Sequence, residues 1–338
     1  MSLRAACIAL TALAVALPPA ASASQFVDLV GSRVPITLKV SGKRAVVHYR
    51  KGDGRRHVLV GGAVNARHPG RSARQVRFRI DYSGGRGLWK RFRSTCGPYD
   101  GPRLPFLVAA CRAPNGSYWA VQEWMVDQPN FGMPPWTVRQ HMYSIRVSHW
   151  STPLARLDLY ADWIYGGRFH EVFGRATYLG RPVFGFASTS RGAPTDRYGR
   201  LLYLDTFGSR YGTGWRRENA FLPHRPNGVF CAGFYRHKGR PPGKGSRYRV
   251  TMIGPGVTPD VQSTVNGLRN YRGSPDAPYE AQQNRVLDRL AAGGRWCHHQ
   301  RLTLASGHQR RGGARWRSSD ERTQPGKATC AADPGGST

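Results

Sequence analysis

Residues 143–150 read YSIRVSHW. Tyr143, Ile145, Val147 and His149 alternate with Ser144, Arg146 and Ser148, the period of two that predicts a half-buried strand. Residues 75–82 (QVRFRIDY) repeat the pattern, with Val76, Phe78, Ile80 and Tyr82 against Arg77, Arg79 and Asp81. In residues 157–165, Leu157, Leu159, Ala161, Trp163 and Tyr165 alternate with Asp158, Tyr160 and Asp162. Further strands are expected at 34–40, 45–49, 57–60, 118–125, 201–205, 229–235 and 248–253. Ser41-Gly42, Asp53-Gly54 and Gly180-Arg181 fall between such runs, where hairpin turns belong. One helix is expected, capped by Asp276, carrying Pro278 in its first turn and Val286, Leu287 and Leu290 as an apolar stripe, and ended by Gly293-Gly294. The pattern predicts an all-β, antiparallel body of sandwich or jelly-roll type with one short C-terminal helix.

The first 23 residues read as a secretory signal peptide. Arg4 supplies the positive end, residues 5–17 the apolar core, and Ala21-Ser22-Ala23 a small-residue cleavage site. The apolar run is too short to span a bilayer, so it is expected to be removed and the product secreted, or periplasmic where an outer membrane exists. Export places the protein where disulfides persist and nucleotide cofactors are scarce, so no cofactor is expected.

The whole chain carries a formal charge of +32. Residues 24–95, a strongly basic β region, hold 17 Lys and Arg against only Asp28, Asp53 and Asp81. Residues 96–299 form an aromatic-rich β domain ending in the helix, and 300–338 a polar tail expected to be disordered. Arginine abundance alone could scatter cations evenly, but it does not explain so few carboxylates before residue 96. Partners of negative sign follow, an anionic polymer or glycan of the cell envelope foremost.

Cys96 and Cys111 flank a Gly- and Pro-rich loop, and Cys231 and Cys297 flank the last part of the body; these are the expected bridges. Cys330 is left over. There is no C-x-x-C pair, and Cys297-His298-His299 lacks distant partners, so no metal site is expected.

Between Ser148 and Tyr235 stand Asp162-Trp163-Ile164-Tyr165, Arg168-Phe169-His170, Phe173-Gly174-Arg175, Asp196-Arg197-Tyr198-Gly199-Arg200, Gly214-Trp215-Arg216-Arg217-Glu218-Asn219 and Gly228-Val229-Phe230-Cys231. This stretch resembles a group of exported proteins of high-GC bacteria. The resemblance implies export and a shared β-rich domain, and it brings no activity.

No G-x-S-x-G elbow occurs, and Gly243-Lys244-Gly245-Ser246 is a basic turn, not a phosphate loop. Asp158 and Asp162 are four residues apart on one strand face, too far apart to act as a hydrolase pair. Glu171, Asp205 and Glu218 could converge with His170 in a polysaccharide hydrolase, or could merely pair with neighbouring arginines. Flat rings beside arginines suit sugars and anions. Trp136 and Trp215, in loop-like contexts, are therefore the candidate ligand platforms, with Arg216, Arg217 and Asn219 as hydrogen-bond donors and Arg77 and Arg79 as cations on a strand face. The expectation is a secreted, non-catalytic binder of polyanionic or glycan envelope material; a polysaccharide hydrolase and a protein-interaction module are the alternatives.

Overall fold

Each turn signal closes a hairpin in the computed structural model, which describes residues 24–68, 74–126, 142–164, 169–183, 195, 200–209, 212–217, 220–221, 227–234, 245–267, 282, 285, 286, 289 and 290. The strands are β1 (Gln25–Val30), β2 (Ile36–Ser41), β3 (Arg44–Lys51), β4 (Gly54–Gly61), β5 (Arg79–Asp81), β6 (Leu107–Arg112), β7 (Tyr118–Met125), β8 (Tyr143–Trp150) and β9 (Arg156–Ile164). They continue with β10 (Phe169–Tyr178), β11 (Arg181–Pro182), β12 (Leu202–Ser209), β13 (Gly212–Arg217), β14 (Ala220–Phe221), β15 (Val229–Phe234), β16 (Arg247–Met252) and β17 (Val261–Asn266). A 3-10 turn, Leu88–Lys90, lies between β5 and β6. Gly42 (φ +56°) turns β2 into β3, and Leu179 and Gly180, both at positive φ, turn β10 into β11.

All pairings are antiparallel, in four sheets ordered β1-β8-β7-β6, β2-β3-β4-β5, β11-β10-β15-β14 with β9 on β10, and β13-β12-β16-β17. The all-β body is thus the one its alternation predicts. Two main cores hold it. Val27, Trp119, Val121, Ile145 and Val147 from the first sheet meet Val40, Val47, Val58 and Val60 from the second. Leu157, Val172 and Phe230 meet Leu204, Val250 and Met252 in the other, which also takes in Leu29 and Trp124 from the first sheet. The first sheet is therefore covered on both sides. Residues before Cys96 share their core with residues after it, because β1 pairs with β8.

That double cover corrects the reading of 143–150. Ser144, Arg146 and Ser148, expected to face water, are each about 1% exposed, because a second layer lies on their side of the strand. The reading of 75–82 also shortens: only Arg79–Asp81 is paired, and Tyr82 is 61% exposed, its hydroxyl donating to the Val27 carbonyl at 3.1 Å. Its alternation still holds, with Phe78 buried and Arg77 and Arg79 exposed.

Cys96 and Cys111 form the first expected disulfide, Cα to Cα 5.7 Å. Cys231 lies on β15, whereas Cys297 and Cys330 are outside the described residues, as are the leader and the tail. Of the expected helix, residues 282, 285, 286, 289 and 290 are described, and all are helical. Among the described residues no helix is long and apolar enough to cross a membrane.

His149 shows how polar groups are satisfied inside the first core. Its Nδ1 donates to the Ala63 carbonyl at 2.7 Å, leaving Nε2 to face the Ser117 hydroxyl at 2.8 Å, and Trp119 stacks on the ring with centroids 4.0 Å apart. Burial, opposed by the Ala63 bond and aided by Lys43, pushes its pKa down to about 4. The unfolded chain, titrating near 6.5, takes up the proton first. His149 therefore contributes stability that is complete above about pH 6.5 and lost as pH falls through 4. His149→Gln is expected to flatten that part of the stability–pH curve, as read by urea denaturation between pH 7 and pH 4.

Candidate functional site

The tight turn at Gly52-Asp53 sets which residues of β3 and β4 stand opposite each other, and so builds a strongly cationic surface. His48 pairs with His57, Arg50 with Arg55 and Val46 with Leu59, while Lys39 of β2 stands beside Val46. These residues point away from the core, which takes Ala45, Val47, Val58 and Val60 from the alternate positions. Arg79 of β5 lies opposite Gly61, which in turn faces Arg44. The outer face of this sheet thus carries Lys39, Arg44, Arg50, Arg55 and Arg79, all exposed.

A covering segment, residues 83–93, crosses the middle of that face. Trp89 stacks on His57 with ring centroids 3.5 Å apart and planes 9° from parallel. Gly84 and Gly85 make this approach possible: a Cβ on Gly84 would sit 2.7 Å from both the His57 carbonyl and the Trp89 ring. The segment adds Arg86, Lys90, Arg91 and Arg93, also exposed, with the Lys90 ammonium 5.8 Å from the Trp89 centroid.

Charge balance on this face is lopsided. Asp81 is its carboxylate, and both of its oxygens are taken by Ser83 and the Gly85 amide. Asp53 pairs with Arg56 in the turn, and Asp28 with Lys51. Among the described residues none of Lys39, Arg44, Arg50, Arg55 and Arg79 has a carboxylate within ion-pair reach. The imidazoles register the resulting field. Burial, then His57 and Lys39, push His48 down to about 4; burial and Arg55 lower His57. With Nδ1 of each ring 2.6 Å from the other, one holds the proton and the other accepts it, so both are neutral at pH 7.

The second locus belongs to the β13-β12-β16-β17 sheet. Arg217 Nε donates to Asp205 Oδ1 at 2.6 Å and Arg249 Nε to Asp205 Oδ2 at 2.9 Å. Arg217 and Asp205 each have a side chain 2% exposed. Burial alone would raise the Asp205 pKa, but Arg217 and Arg249 outweigh it and hold the carboxyl below its usual range. The Arg249 guanidinium lies 4.3 Å from the Trp215 ring centroid, Arg247 lies 4.3 Å from Phe207, and Phe207 meets Trp215 edge-on.

Sequence-expected residues divide between these places. Arg79 joins the cationic face, and Arg77 is exposed just ahead of it. Trp215 is half-buried with the Arg249 guanidinium over its ring. Arg217 is a buried partner of Asp205 and does not reach the surface, and Asp205 is itself buried, with both oxygens bonded to arginines that hold it ionised. Arg216 alternates to the opposite side of β13 from Trp215 and Arg217. His170 and Glu171 lie on β10, while Trp136, Glu218 and Asn219 are outside the described residues. Sequence reasoning passed over Trp89, His48 and His57; the register dictated by Gly52-Asp53 was the signal that could have found the histidines.

Other features offer less. The hollow of about 490 Å³ beside the disulfide is lined by Asp100 and Arg112, which pair at 2.6 Å and cancel each other's charge. Among the described residues no three His, Cys, Asp or Glu gather as metal ligands. Comparison with known family models, with curated proteins and with solved structures finds no match to this chain.

Proposed function

We propose that the protein is an exported, non-catalytic binder that holds an anionic polymer or acidic glycan of the cell envelope on the outer face of the β2-β3-β4-β5 sheet. One observation carries the reading: exposed Lys39, Arg44, Arg50, Arg55 and Arg79 share one face without carboxylate partners among the described residues. Such cations keep their field available to a ligand and attract condensed counterions that a polyanion releases on binding. Trp89, partly exposed at the centre, offers apolar surface for a sugar ring. A rigid sheet presents the charges already spaced, so little ordering entropy is lost on binding.

The test is binding to immobilised heparin across a salt series. Log affinity is expected to fall linearly and steeply with log salt, as counterion release requires. Salt-insensitive binding, or none at low salt, sets the reading aside.

A further inference from the structure

Asp260, in the loop before β17, is fully buried. Its Oδ2 accepts from Trp124 Nε1 at 2.8 Å and its Oδ1 from the Gly254 amide at 2.9 Å, while Gln122 clamps its backbone with bonds of 2.9 and 3.0 Å. The Ser24 hydroxyl completes the Oδ1 side. Among the described residues the nearest cation is less well placed: Arg146 Nε is 3.8 Å from Oδ2, beyond hydrogen-bond range, and its Nη1 donates to the Ser24 carbonyl at 2.8 Å and to Ser24 Oγ at 3.0 Å. A buried carboxylate is costly unless a charge is bonded to it directly. Burial raises the Asp260 pKa despite Arg146 and these hydrogen bonds.

Ser24 is itself 0% exposed, and it directly follows Ala21-Ser22-Ala23, the small-residue cleavage site. In the continuous chain Ser24 has φ +28°, a region closed to L-residues by their preceding carbonyl. A chain beginning at Ser24 has no preceding carbonyl and no such clash. By covalent geometry its α-nitrogen lies within about 4 Å of the Oγ that already touches Asp260. Leader removal precedes folding in an exported chain, so the burial of Ser24 does not obstruct the cut.

We propose that cleavage between Ala23 and Ser24 creates an α-ammonium that seats against the Asp260 carboxylate, so that maturation completes a buried ion pair joining the N-terminus to the loop before β17. The cut hydrolyses the Ala23–Ser24 amide: water supplies the hydroxyl to Ala23 and the proton to the new amine. The inference rests on the leader reading and is independent of polyanion binding. The charged groups in contact with Ser24 are Asp260 and Arg146 of β8. Asp260 favours the ammonium, whereas Arg146 and burial oppose it. Seated against the carboxylate as proposed, the amine is expected to titrate above its ordinary value of about 8.

The test begins with mass spectrometry of the exported protein, which is expected to start at Ser24. The mature chain is then compared with the same chain carrying one extra N-terminal Ala, each with and without Asp260→Asn. The extra residue is expected to lower Tm by roughly 5–10 °C at pH 6.5, and Asp260→Asn is expected to erase that difference. The advantage is complete below the unfolded amine's pKa of about 8 and is lost as pH rises through the folded value. Should the Asn variants fail to fold, the amine's own titration, followed by NMR on the mature chain, decides. A start elsewhere, an amine titrating at about 8, or an extension without effect on Tm overturns the proposal.

Discussion

Asp205→Asn is expected to lower the unfolding free energy by about 3–5 kcal/mol, because it leaves the buried Arg217 guanidinium without its counter-charge. Asp205 sits between Arg217 and Arg249, bonded to both, and neither it nor Arg217 is open to water. Around them pack Trp124 and Tyr203, with the Arg217 guanidinium 5.6 and 4.8 Å from their ring centroids. The cluster thus ties the β13-β12-β16-β17 sheet to the central strand β7. Its worth comes from mutual compensation, so Asp205→Asn combined with Arg217→Met should recover much of the loss. The pH signature follows from the same geometry. A carboxyl held below its unfolded pKa of about 3.9 contributes stability that is complete above that value and lost as pH falls through the depressed one. Guanidinium denaturation of the single and double variants measures all of this. A single variant as stable as the parent would return Asp205 to the pool of chemically available carboxylates.

Replacing Lys39, Arg44, Arg50, Arg55 and Arg79 together with Gln is expected to weaken heparin binding on the order of a thousandfold near physiological salt, at about 1 kcal/mol for each cation facing an anionic surface. The slope of log affinity against log salt should flatten with it, since fewer counterions are displaced. All five side chains are exposed, so the fold is expected to survive, with an unchanged Tm as the control. Arg112→Gln and Arg156→Gln provide the matching negative: each is already paired with a carboxylate, at 2.6 and 2.8 Å, and should bind within about twofold of the parent. Equal losses from both sets would mean that overall charge, not this face, is what heparin detects.

Much of the fold was legible because period two survives wherever one side of a strand meets a core, as in Phe78 against Arg77 and Arg79. It failed where both sides are covered. Arg146 reads as a surface residue in any single strand, and its partners inside, Asp260 and Ser24, lie more than a hundred residues away. β1, β6, β10, β13 and β17 escaped notice because their sequences alternate weakly, and β11 and β14 because they are two residues long: VQSTVN in β17 has few large apolar residues and is held by pairing to β16. The candidate site was half visible. The scarcity of carboxylates before Cys96 pointed to the stretch that carries the cationic face, while attention to tryptophans in later loops led to Trp215, whose ring is engaged by Arg249. Trp89 stood in the basic region all along. Its meaning depends on the stack with His57, a contact that spacing alone does not reveal.

Chemical-shift mapping of the ¹⁵N-labelled protein during titration with a heparin oligosaccharide bears most directly on the cationic face. The shifts are expected to gather on the amides of β2, β3 and β4 and of residues 83–93, and to fade as salt is added. Shifts centred instead on β13 and β16, or spread evenly over the body, would contradict the assignment of binding to this sheet.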